Sequence, residues 1–164
     1  MVGALRTFRF AVIIALIVGG PIADACSCVG RGTVEEAMGS SHLVFLGTVE
    51  RIDDRRAGLR WAWLRVRELF GMEPSFSVAD EHGYKVTFRA STIWKGPAER
   101  TVSVFTGRGG GDCGYKFEIG KTYLVYSSCG DYCYTGICAR TTKEAWATKD
   151  LAFLAKLPTV ALSD

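Results

Sequence analysis

Six cysteines, two histidines and two glycine-containing loops are the residues of this 164-residue chain whose types and spacing could do chemistry. Cys129-x3-Cys133-x4-Cys138 would suit a thiolate zinc site in a reducing compartment and structural disulfides in an oxidising one. Cys26-Ser27-Cys28 is a different pattern. In an extended segment residues i and i+2 face one side and i+1 the other, so two bridged cysteines would hold Ser27 outward on a fixed ridge. Gly120-Lys121-Thr122 has the end of a phosphate-binding loop, yet Tyr115 stands where that pattern requires glycine, and the segment joins two expected strands instead of opening a helix. Gly109-Gly110-Gly111 lacks the flanking strand and helix of a dinucleotide site and reads as a loop. His82 lies in the polar turn Asp80-Glu81-His82-Gly83 and His42 precedes a strand. Neither completes a nucleophile, base and orienting group, so no catalytic residue is assigned and the chain is expected not to be an enzyme.

The N-terminal residues decide between thiolate and disulfide chemistry. Arg6 and Arg9 give a basic start, Phe10 to Val18 is an uncharged apolar run, Gly19-Gly20-Pro21 breaks it, and Ala23-Asp24-Ala25 is a small-x-small site. Residues 1–25 therefore read as a secretory signal peptide cleaved after Ala25, because the run is shorter than the roughly 20 residues of a spanning helix. Lipoprotein anchoring at Cys26 is the rival reading, and it is disfavoured by Ala23 and Asp24, which stand where leucine and a small residue are usual. Cleavage removes two basic and one acidic residue, so the expected secreted or periplasmic chain keeps 18 basic and 16 acidic side chains and all six cysteines. That balance is too even for a dedicated nucleic-acid binder, and 48% hydrophobic residues are too many for a disordered chain. With no asparagine, no N-glycosylation acceptor exists.

The elements that must position these residues come from periodicity. Thr33-Val34-Glu35-Glu36 is a capping box opening a short helix to about Gly39. Strands are expected at Leu43 to Ile52, Tyr84 to Trp94, Thr101 to Phe105, Cys113 to Phe117, Lys121 to Ser127 and Tyr134 to Arg140. Lys143 to Leu157 is expected as a longer amphipathic helix carrying Trp146, Leu151, Phe153 and Leu154. A mainly β fold follows, in which five or six strands close an OB-like barrel flanked by a short N-terminal and a longer C-terminal helix. Residues 26–164 make one domain, interrupted at 53–83 by an inserted loop with a helix. There Arg55, Arg56, Arg60, Arg65 and Arg67 interleave with Trp61, Trp63, Leu64, Leu69 and Phe70. Such a helix would either pack its tryptophans on the barrel or present Arg60, Trp61, Trp63 and Arg67 to an anionic membrane or a partner groove.

Together, Cys26-Ser27-Cys28, the helix with Glu36-Ala37-Met38, the strand Leu43 to Val49, Asp112-Cys113-Gly114-Tyr115 and the Cys138 strand followed by Leu151-Ala152-Phe153 resemble the inhibitory N-terminal domain of the tissue inhibitors of metalloproteinases. That domain is a netrin-like module on an OB barrel. The resemblance implies an inhibitor with no cofactor of its own, expected as a monomer. The α-amine of Cys26, with an ordinary pKa of about 7.7 to 8.0, and its own carbonyl would chelate the zinc of a partner metalloproteinase and displace the catalytic water. Ser27 would point into the specificity pocket, with Cys28 and Val29 continuing along the cleft and Gly111 and Asp112 lining the ridge from the other side. The family's pairing implies Cys26–Cys113 and Cys28–Cys138. The family's third long-range bridge starts in the first helix, where this chain has Met38-Gly39, so Cys129 and Cys133 are left to pair locally. The family's cysteine-rich C-terminal domain has no counterpart here, and Val29-Gly30-Arg31 replaces the polar and proline residues usual after the ridge. A non-inhibitory netrin-like adhesion or envelope-binding module remains the alternative.

Overall fold

The computed structural model describes residues 26, 28, 30–54, 70 and 83–163. Helix α1 (Val34–Ser40) opens on the expected capping box: Thr33 Oγ1 accepts from the Glu36 N–H at 3.2 Å, and the Glu36 carboxylate accepts from the Thr33 N–H at 2.8 Å. Its other end is tied to the sheet by Lys95, whose ammonium donates to the Met38 and Gly39 carbonyls. Strands β1 (Leu43–Asp54), β2 (Tyr84–Lys95), β3 (Thr101–Thr106), β4 (Thr122–Cys129), β5 (Cys133–Tyr134) and β6 (Thr142–Lys143) follow, then a 3-10 turn at Glu144–Trp146 and helix α2 (Thr148–Leu154).

The strand order is β1-β2-β3-β5-β4-β6, and β1 pairs with β4 as well, so five strands close a barrel and β6 extends β4 outside it. All pairs are antiparallel except β3 with β5. This is a mainly β, OB-like closed barrel with two flanking helices. Closure requires β1 to serve two neighbours, β4 along its first half and β2 along nearly its whole length. Register shifts at Val44/Phe45, Leu46/Gly47 and Val49/Arg51 give it the bend that this demands.

Alternation sorts the core. Leu43, Phe45 and Val49 of β1 and Tyr123 and Val125 of β4 point inward, while Val44, Leu124 and Tyr126 point outward beneath Ala37 and Met38 of α1 and Leu151 and Leu154 of α2. Edge-to-face rings fill the interior from Phe45 through Phe88 and Phe117 to Tyr123, with centroids 4.9 to 5.3 Å apart.

Several expected elements are shorter or absent. Residues 113–117 form no strand: Cys113 has φ 54, which no strand tolerates, and only Gly114 bridges, to Gly136. Phe117 nevertheless fills the barrel. The strand expected over 134–140 is reduced to the two residues of β5. The helix expected over 143–157 is split by Ala147 (φ −91°, ψ 9°) into the 3-10 turn and the seven-residue α2, which leaves Trp146 outside the helix and 73% exposed. Asp53 and Asp54, placed in the insertion by the sequence pattern, pair with Lys85 and Tyr84 and belong to β1. The expected signal peptide, Ser27, Val29, His82, and the insertion's Arg60, Trp61, Trp63 and Arg67 lie outside the described residues.

Candidate functional site

The structure joins Cys26 to Cys113 and Cys28 to Cys138, the pairs that the resemblance implied, and Cys129 to Cys133, the local pair expected where the chain departs from the family, and leaves no cysteine free. Cys138 is therefore separated from Cys129 and Cys133, which removes the thiolate zinc reading. Among the described residues no group of three or more His, Cys, Asp or Glu could hold a metal. Three disulfides belong to an oxidising environment, extracellular or periplasmic. No helix among the described residues is long and apolar enough to cross a membrane.

The first two bridges span 87 and 110 residues of sequence, and each stabilises the fold by about 4 to 5 kcal/mol in the chain-entropy account. Their geometric effect is to lay Cys26 along the 3-10 turn Gly110–Asp112 and Cys28 along the irregular stretch after β5. Cys26 and Cys113 are half-buried, whereas Cys28, Gly30, Arg31, Gly111 and Asp112 are exposed. Two exposed strips thus meet at one covalent seam. The first is short, because the Gly30 N–H donates back to the Cys28 carbonyl at 2.9 Å and the chain turns there.

The second strip is organised around the Asp112 carboxylate. It accepts from the N–H groups of Arg108 at 2.7 Å, Gly109 at 2.8 Å and Gly114 at 3.2 Å. Burial acts to raise its pKa, and the converging N–H donors outweigh that and hold it below the usual carboxylate value. Glycine is required on both sides of this knot. A Cβ on Gly107 would stand 2.5 Å from the carboxyl carbon of Asp112, and one on Gly114 would stand 2.1 Å from the Gly107 carbonyl. The Tyr134 hydroxyl completes the loop, accepting from the Gly107 N–H and donating to the Asp112 carbonyl, each at 3.2 Å. Arg108 then ties the loop to the base of the insertion through Asp54 and the Tyr84 hydroxyl.

Behind the first strip lies a cleft of about 620 Å³ lined by Arg31, Glu36, Asp112, Cys113, Tyr134 and Arg140 among others. Arg140 lines it and fixes the strip's far end. Its Nη1 donates to the Gly32 carbonyl at 2.6 Å while its other nitrogens grip Asp150. No motif announces Arg140 or Asp150, and the one available signal is an acidic residue in the first turn of a helix. His42, expected at the surface, is exposed; its Nδ1 accepts from the Cys129 N–H at 3.2 Å and secures the β4–β5 corner.

Compared with known proteins, the chain matches no family model and no curated protein.

Proposed function

We propose that the chain is a secreted or periplasmic, monomeric inhibitor of zinc metalloproteinases, related to the netrin-like tissue inhibitors of metalloproteinases and acting through a mature N-terminus at Cys26. The observation that carries this reading is the pair of bridges Cys26–Cys113 and Cys28–Cys138, which hold two residues of one short segment against two different connections of the barrel. A chain terminus is ordinarily frayed, and one held at two points presents its α-amine and first carbonyl in a single arrangement. Those two atoms close a five-membered ring on a metal. An active-site zinc with an open position takes such a ligand in place of its nucleophilic water. Ser27, between the two anchors, would enter the specificity pocket, and Gly111 and Asp112 would flank the cleft. Preorganisation by the disulfides lowers the ordering cost of binding.

The test compares protein whose first residue is Cys26, verified by intact mass, with the same protein carrying one added N-terminal alanine, against a matrix-type metalloproteinase. Inhibition by the first and loss of inhibition by the second is the expected result. Equal inertness removes the inhibitor reading in favour of the non-inhibitory netrin-like module; equal inhibition removes chelation by the amine.

A further inference from the structure

Two large apolar side chains are exposed on adjoining turns of the barrel, Ile119 at 64% and Trp146 at 73%. They are neighbours because β6 pairs with β4 at Tyr123↔Lys143, which sets the Glu118–Lys121 turn entering β4 beside the 3-10 turn leaving β6. Lys143 spans the two. Its ammonium donates to the Glu118 carboxylate at 2.6 Å and lies 5.6 Å from the centre of the Trp146 ring. Lys121 is exposed at the end of this turn, and Lys116 is exposed two residues before its start. The direct bond from Lys143 holds the Glu118 carboxyl below its ordinary pKa, and the fields of Lys121 and Lys116 act in the same direction. Glu118 is engaged by Lys143, and Glu144 adds a second carboxylate next to Lys143 in the chain.

We infer that this patch docks the protein on an anionic phospholipid surface, with Ile119 and Trp146 entering the headgroup–acyl boundary and Lys116 and Lys121 meeting lipid phosphates. The chemistry separates this occupant from others. A soluble polyanion would engage the lysines but give no reason for two bare apolar tips. A protein partner of ordinary affinity needs about 800 Å² of matched surface per side, far more than two turn apices supply. Exposed tryptophan and isoleucine with exposed lysines in the flanking sequence match the interfacial zone of a bilayer. The inference is independent of the inhibitory reading, since neither turn contains a residue of the Cys26–Cys113 seam.

The experiment is co-sedimentation of the mature chain with vesicles of phosphatidylcholine alone and of an equimolar phosphatidylcholine–phosphatidylglycerol mixture. Wild type is expected to partition into the mixed vesicles and only weakly into the neutral ones. Removing the tips in I119S/W146S should weaken partitioning by about tenfold or more, while K116A/K121A should lower it about fivefold per lysine and flatten its salt dependence. W61S/W63S should bind as wild type, which assigns the effect to this patch and not to the insertion. All four side chains of the first two variants are exposed, so their unfolding midpoints should match wild type and separate docking from folding. Equal partitioning of I119S/W146S and wild type overturns the inference. So does binding to a heparin fragment without binding to the mixed vesicles.

Discussion

Arg140 grips Asp150 with two parallel hydrogen bonds, Nε to Oδ2 at 2.9 Å and Nη2 to Oδ1 at 2.6 Å, and spends its remaining nitrogen on the Gly32 carbonyl. The pair is largely withdrawn from water, with side-chain exposures of 22% and 8%. The Tyr126 hydroxyl donates to the same carboxylate, and burial, then the Asp150 charge, push its pKa well above the ordinary phenol value, so it remains a donor. One guanidinium therefore connects α2, β4 and the segment that follows Cys28.

Arg140→Met should cost about 3 kcal/mol in urea unfolding, because it leaves the Asp150 carboxylate buried with one donor. Asp150→Asn keeps an acceptor for Arg140 and should cost less, about 1 to 2 kcal/mol. A loss below about 0.5 kcal/mol for Arg140→Met would place the pair with ordinary surface ion pairs and remove its anchoring role. Hydrogen exchange over residues 30–33 should rise in Arg140→Met before global unfolding.

Gly114, in the loop that carries Asp112, and Gly39, in α1, should respond to the same exchange in opposite directions. Gly114→Ala would force a Cβ to within 2.1 Å of the backbone of Gly107, and since backbone cannot swing aside as a side chain can, the loop must open. It should destabilise by about 3 kcal/mol or more and lower Cys26–Cys113 formation during refolding, read by mass after thiol trapping. Gly39→Ala, inside α1 with nothing within 4 Å of the new methyl, should stabilise by about 0.5 kcal/mol. The same exchange thus tests close approach at one site and helix propensity at the other.

How far the sequence carries depends on whether a residue's neighbours are local. Strands β1 to β4 lie within two residues of their expected ends, because alternating Leu43, Phe45, Tyr123 and Val125 must share one face whatever else the chain does. The barrel follows from their number and spacing. The six cysteines alone allow fifteen connectivities, and the pairing came from likeness to a family and not from the residues. Residues 113–117 read as a strand because Tyr115 and Phe117 alternate, whereas the positive φ of Cys113, beside Gly107, Gly114 and Gly136 where a Cβ would clash, has no signature in that pattern. Arg140 and Asp150 illustrate the remaining gap. Each is an unremarkable charged residue until β4 and α2 are folded, and burial is what turns them into an anchor.

The pH dependence of stability should report the Asp112 knot. Converging N–H donors hold its folded pKa below the ordinary value. A carboxylate depressed in the folded state stabilises the fold at every pH above its unfolded value of about 3.9, and that contribution disappears as pH falls through the lower folded value. Wild type should therefore melt higher than Asp112→Ala at pH 7, and the gap should hold down to about pH 4 and then close. Other carboxylates titrate in both proteins and cancel in the difference. A gap that stays constant from neutral pH to about pH 2.5 would mean that Asp112 acts through packing against Gly107 and not as an ionised acceptor. Asp112→Asn separates the two directly, since it keeps the shape and one acceptor: it should recover part of the neutral-pH loss and show no closing of the gap to Asp112→Ala in acid.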